Sequence, residues 1–165
     1  MELLGEQLNI RNLLRAQSAH SGTNWTVVST GVFMSFLFEP YWRVVEPEGE
    51  DVVVRALGSW ENRVTVSTAE DIGSIAARIV CASEFELETK DKIVYMVGET
   101  ISYARLVGVV EIVLEKVWRE LWSVDHLREE LKKDSENLVR KYRVVFAEGN
   151  GVSWDEGTVN RTLGM

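Results

Sequence analysis

Two histidines, one cysteine, four tyrosines and a surplus of carboxylates are the side chains here whose chemistry could exceed packing. His20 and His126 lie far apart, and neither has a Cys or second His at zinc-ligand spacing. Cys81 can form no internal disulfide. It closes an apolar helical pattern, where a free cysteine is expected to be a small buried hydrophobe, and no histidine stands near it in sequence to draw out a thiolate. Glu129-Glu130 and the alternation Glu46, Glu48, Glu50 read as solvated charge runs rather than as an acid/base pair. Asp71 follows Thr68 at capping-box spacing and is expected to cap a helix. Tyr95 and Tyr103 are likewise read as structural. Gly149-Asn150-Gly151 follows a helical pattern and lacks the further glycine of a dinucleotide fingerprint, so a C-cap and turn is expected. No Gly-x-Ser-x-Gly elbow occurs. The residues alone mark no self-contained catalytic set.

The elements that would carry these groups alternate. Residues 2–17 place Leu3, Ile10, Leu13 and Leu14 on a helical period, with Glu2 and Glu6 in the first turn, where the helix dipole favours them. Ser21-Gly22-Thr23-Asn24 breaks that helix. Trp25 to Ser29 is short, β-branched and aromatic, and reads as a buried strand. Gly31 follows, then an apolar segment from Val32 to Phe38 stopped by Pro40. Residues 46–51 form a turn-rich acidic loop. Val52–Val54 and Arg63–Val66 are strand-like, joined by Gly58 to Asn62. Behind Thr68, a helix sets Ile72, Ile75, Ala76, Ile79 and Val80 on one face. Ile93 to Gly98 is another strand. A helix from about Ser102 turns Leu106, Val109, Val110 and Val113 inward. Trp118 to Trp122 alternates as a strand, Ser123 caps a helix through Leu127 and Leu131, Asn137 to Phe146 is helical, and the tail from Gly149 is a loop. Strands alternating with helices indicate α/β organisation.

Length and composition fit one ordinary globular domain. The 165 residues are 45% hydrophobic and 27% charged, enough to bury a core. No apolar run approaches the roughly 18–20 residues that span a bilayer. The first residues, Met1 to Glu6, have no basic segment leading into a long apolar one, so an intracellular, cytoplasmic protein is expected. A net charge of −8 argues against a nucleic-acid partner, because such binders gain affinity by neutralising phosphates. The densest basic cluster, Arg140-Lys141-Tyr142-Arg143, is short and follows an acidic stretch.

Four stretches, in order, carry a resemblance. Gly22-Thr23-Asn24-Trp25-Thr26-Val27-Val28-Ser29-Thr30-Gly31-Val32-Phe33 is the first. Arg55-Ala56-Leu57-Gly58-Ser59-Trp60-Glu61-Asn62-Arg63-Val64-Thr65-Val66, running into Glu70-Asp71-Ile72-Gly73, is the second. Tyr95 to Leu106 is the third, and Lys141 to Gly149 with Gly151-Val152-Ser153-Trp154-Asp155 the fourth. Together they resemble NmrA-like, isoflavone-reductase-like proteins, atypical members of the short-chain dehydrogenase superfamily.

The resemblance implies the C-terminal, substrate-side part of a Rossmann-like NAD(P)-binding fold, as a single partial domain. Residues 1–45 would end the Rossmann-like sheet and 46–165 would form the substrate-side region, with Arg55 to Val66 a hairpin feeding the helix at Asp71-Ile72-Gly73. It implies NADPH as cofactor, with Thr30, Gly31 and Phe33 bordering the nicotinamide where ligands gather at strand ends. A packing role for Gly31 and Phe33 stands beside that reading. Phe36, Tyr41 and Trp42, with Phe38, would wall a pocket for a small aromatic or polyketide-type metabolite of fungal secondary metabolism. The glycine-rich βαβ unit that holds the pyrophosphate and the lysine of those members that have one are expected upstream of Met1. No Tyr-x-x-x-Lys pair occurs. The alternative is a non-catalytic regulator that senses the dinucleotide and binds a protein partner. An open sheet edge is expected to drive self-association.

Overall fold

A computed structural model describes residues 5–81, 88–154 and 157–164. In chain order it contains α1 (Gly5–Ser21), β1 (Thr26–Ser29), β2 (Val32–Phe33), a 3-10 turn (Met34–Phe38), β3 (Val45–Glu48), β4 (Asp51–Leu57) and β5 (Arg63–Ser67). There follow α2 (Ala69–Cys81), β6 (Lys92–Tyr95), β7 (Glu99–Ser102), α3 (Tyr103–Val113), β8 (Val117–Trp122), α4 (Val124–Lys133), α5 (Leu138–Glu148) and α6 (Val159–Thr162). They form two compact units. One takes the described parts of Met1–Ser29, Glu70–Met96 and Gly157–Met165; the other takes those of Thr30–Ala69 and Val97–Glu156.

In the first unit β1 and β6 pair in parallel, from Thr26 opposite Lys92 to Ser29 opposite Tyr95. Ile75 of α2 is fully buried with Met96 and Val159, and Ile72 and Ile79 join them. Val80 and Cys81 are exposed, contrary to expectation. At about 100° per residue they fall roughly 140° and 120° from Ile75, off the buried face. The apolar positions of α1 also differ from expectation, because Ile10 and Leu13 are exposed; Leu3 lies outside the described residues. The tail is more ordered than a loop, since Thr158 bridges Tyr95 and α6 follows.

The second unit holds two three-stranded sheets, ordered β2-β5-β7 and β3-β4-β8. The acidic loop expected at 46–51 is in fact mostly strand. Glu46 and Glu48 lie on β3, which turns through Gly49-Glu50 and runs antiparallel to β4. Their carboxylates meet Arg55, a buried cation on β4. β8 extends that sheet in parallel, from Val52–Val117 to Leu57–Trp122. β4 and β5 do not form the expected hairpin, for each pairs with other strands. Gly58 carries the chain out of one sheet into the other. It adopts φ 83°, and a Cβ there would meet Ala147 O at 2.1 Å. Asn62 closes the corner, donating through Nδ2 to Leu57 O at 3.0 Å and Ala147 O at 2.7 Å.

The helices of this unit start where the sequence marks them. Ser102, Ser123 and Asn137 each accept a backbone N–H as the N-cap of α3, α4 and α5. Gly149 ends α5 in the left-handed conformation at φ 70°. The inward face of α3 is Tyr103, Leu106, Val107 and Val110, whereas Val109 and Val113 are exposed. Val109 lies about 200° round from Val107 and so points the other way.

Candidate functional site

Thr30 and Gly31 precede β2 and are held from below by β5. Ser67 Oγ donates to Thr30 O at 2.8 Å and accepts from Gly98 N at 3.1 Å. Gly31 has φ 72°, and a Cβ on it would sit 2.3 Å from Thr65 O. Only glycine allows that approach. Thr65 is itself fixed: its hydroxyl meets that of Thr100 at 2.8 Å and accepts from Trp154 N at 3.0 Å. The turn thus rests on β5, whose Thr65 is tied in turn to Thr100 and Trp154.

From this anchor β2 delivers a row of aromatic rings. Phe33 meets Phe36 edge-on, centroids 5.3 Å apart at 73°, and Phe36 meets Tyr41 at 6.1 Å and 75°. Edge-to-face geometry suits the opposed charges of ring edge and ring face. Phe33 is 45% exposed and Tyr41 47%, so the row faces outward and Phe33 is no core residue. Phe38 is exposed as well. Trp42 behaves differently. It is 8% exposed and packs edge-on against Phe146 at 5.4 Å. The apolar gap beside it, lined by Val32, Leu37, Leu57, Tyr103 and Phe146, measures about 10 Å³, the space of about one water. It is a packing gap of the core. Burial drives the Tyr103 phenol far above its ordinary range, so this group stays protonated.

The aromatic segment ends on a strained turn. Trp42 N and Arg43 N both donate to Glu39 O, and Arg43 adopts φ 57°, a conformation a non-glycine residue holds only when its surroundings enforce it. Arg143 of α5 is one enforcer. Its Nε donates to Trp42 O at 3.2 Å, its Nη2 donates to Tyr41 O, and its guanidinium lies 5.2 Å over the Trp122 ring. Burial, with Arg43 and Arg140 nearby, pulls the Arg143 guanidinium below its usual value. The sequence flagged Arg143 only as part of a basic cluster; its partners lie about a hundred residues away.

A second cation, Arg55 on β4, is 3% exposed. Nε donates to Glu120 at 2.5 Å, Nη2 to Glu48 at 2.6 Å and Nη1 to Glu46, while Trp122 lies 5.1 Å away. Burial raises the Glu46 carboxyl, but bonds from Arg43 and Arg55 outweigh it and hold the group below its ordinary value. Glu120 is lowered likewise, with Trp122 and Arg55 opposing its burial. This network is structural, since a buried charge persists only when paired.

Among the described residues, no group of three or more His, Cys, Asp or Glu is placed to hold a metal ion, and no helix is long and apolar enough to cross a membrane. Two observations bear on a dinucleotide. The 165 residues contain no glycine-rich phosphate turn, and the space a Cβ would take on Gly31 is already filled by Thr65 O.

No family model matches the chain. A curated protein of Gibberella moniliformis (strain M3125 / FGSC 7600), an NmrA-like family domain-containing oxidoreductase, is 39% identical over 163 residues. That alignment takes in 97% of the chain and 50% of the relative, so the chain spans about half the length of the protein it matches. A crystal structure of isoflavone reductase superposes with a TM-score of 0.70 at 15% identity, over 94% of this chain and 50% of that one. The chain is a homologue of an NmrA-like oxidoreductase with the mixed α/β fold of isoflavone reductase, and it matches the C-terminal portion of such proteins.

Proposed function

We propose that this chain supplies the substrate side of an NAD(P)H-dependent oxidoreductase acting on a small aromatic or polyketide-type metabolite. The observation that carries the reading is the outward row Phe33, Phe36 and Tyr41, which begins two residues after the anchored Gly31. Half-exposed rings on a rigid base offer a planar apolar ligand contact area at little cost in side-chain entropy. Thr30, Gly31 and Phe33 border the nicotinamide in this reading, while Phe36 and Tyr41 wall the substrate; Trp42, expected in that wall, packs into the core behind them instead. NADPH would bring the hydride; the chain's own part is to position the acceptor and exclude water from it.

The test is binding to the purified chain. Titration with 2-naphthol, followed by fluorescence, is expected to saturate. Phe36→Ala and Tyr41→Ala should each weaken it about tenfold, the order expected for losing one ring contact. Binding unchanged in both variants would overturn the substrate wall. NADPH titrated into the same sample should give no saturable signal at micromolar concentration. Tight binding would show that these residues hold the whole cofactor, and would overturn a substrate-side-only role.

We also propose that the chain self-associates through the edge of β1. Trp25 O and Ser29 O accept bonds from the β6 side, so strand alternation turns the backbone groups of Thr26 and Val28 to the opposite edge. Among the described residues no strand pairs with that edge. Sedimentation is expected to show concentration-dependent association, and a monodisperse monomer at high concentration would contradict it.

A further inference from the structure

We infer that Arg143 is the positioning residue of the aromatic row, setting Tyr41 against Phe36 by clamping the backbone of the turn that carries it. The inference deepens the proposed function and rests on the row being a ligand-contacting surface. Three observations converge. Arg143 donates to two consecutive carbonyls, Tyr41 O and Trp42 O. These are the two residues before Arg43, whose left-handed backbone needs outside support. The clamp is itself immobilised, because its guanidinium stacks on Trp122, which is 8% exposed.

Geometry explains why arginine is needed. Two donors set in a planar fork reach two carbonyls at once, whereas a lysine ammonium is a point charge on a flexible stem. Trp42 also packs its ring on Phe146, which anchors the indole side chain but makes no bond to the backbone of the turn. The fork adds control of the peptide between Tyr41 and Trp42, and hence of where the Tyr41 ring stands. Tyr41 is the outer member of the row, 47% exposed, and among the described residues the one ring it meets is that of Phe36. Its position therefore depends on its backbone more than on surrounding packing.

The experiment labels the protein with 3-fluorotyrosine. Its four tyrosines give four fluorine resonances, and Tyr41→Phe assigns the one of interest. In the native protein that resonance should be displaced by the edge-on Phe36 ring. In Arg143→Met it should move towards the free-tyrosine position, and the 2-naphthol dissociation constant should rise about tenfold, as for a lost charged hydrogen bond. Arg143→Lys should restore part of both. Far-UV circular dichroism and a thermal melt establish that each variant is folded; should Arg143→Met unfold, Arg143→Lys carries the test. An unmoved Tyr41 resonance in the folded variants overturns the positioning role. A moved resonance supports it. If the resonance moves but the native protein does not bind 2-naphthol, the clamp stands and the substrate wall fails, so the two readings separate.

Discussion

Gly31 shows how one missing side chain fixes a turn. Any Cβ there would collide with the backbone oxygen of Thr65, which a hydrogen-bonded strand cannot easily withdraw. Gly31→Ala should therefore cost on the order of 2–4 kcal/mol in urea unfolding, the sum of left-handed strain and overlap. A cost under about 0.5 kcal/mol would mean that the turn relaxes freely. Arg55 makes the opposite argument, from charge. Removing it leaves Glu46 paired with Arg43 and leaves Glu48 and Glu120, 51% and 47% exposed, able to rehydrate, whereas removing Glu46 and Glu120 leaves a cation 3% exposed with Glu48 as its remaining carboxylate. The double variant Glu46→Gln/Glu120→Gln should lose about 3–5 kcal/mol, and Arg55→Met distinctly less. Equal losses would show that the network is wet in solution.

Helix ends were the most readable elements, because capping is local chemistry. Ser123 and Asn137 each place an oxygen at a backbone N–H three residues on; the sequence marks the first as a cap and the second as the start of a helical stretch. Asn137→Ala should lower stability by about 1 kcal/mol, and Gly149→Ala by a similar amount through its left-handed backbone; thermal melts of the single variants measure each. Strand partners were less readable. β4 was recognised as a strand, yet its neighbours are β3 and β8 rather than β5. Carboxylates of β3 and β8 converge on Arg55, and the β8 one, Glu120, lies 65 residues away in sequence. The face of α3 was misplaced because Leu106, Val107, Val109, Val110 and Val113 offer more apolar positions than one face can bury.

At the scale of the molecule, acid should act chiefly through the Arg55 network of the second unit. Glu46 and Glu120 titrate at their ordinary value of 4.5 when unfolded and lower when folded. As pH falls the unfolded chain takes up protons first, so stability falls with it. Their contribution is complete above about pH 4.5 and is lost as pH drops through the folded values. Melting temperature measured from pH 7 to pH 3 should fall most steeply below pH 4.5, and the fall should be shallower in the double glutamine variant. A parallel decline in both proteins would place the acid sensitivity elsewhere. The excess of 26 acidic over 18 basic residues leaves net negative charge to repel phosphate backbones, whichever way the two units are arranged.

The sequence by itself determined α1 to α5, the Ser123 cap, the Gly149 C-cap and most strands, because period, capping spacing and turn residues act over a few positions. It also placed Thr30, Gly31, Phe33, Phe36, Tyr41 and Trp42 in one region. Only the tertiary structure decided that Trp42 turns into the core while Phe33 and Tyr41 face outward. Packing decides this: Phe146 arrives on α5 from a distant segment to receive the indole, while the rings of Phe33 and Tyr41 stay about half exposed among the described residues. The clamp from Arg143 and the contact of Gly31 with Thr65 have the same origin, since each joins groups the chain sets tens of residues apart and packing brings within bonding distance.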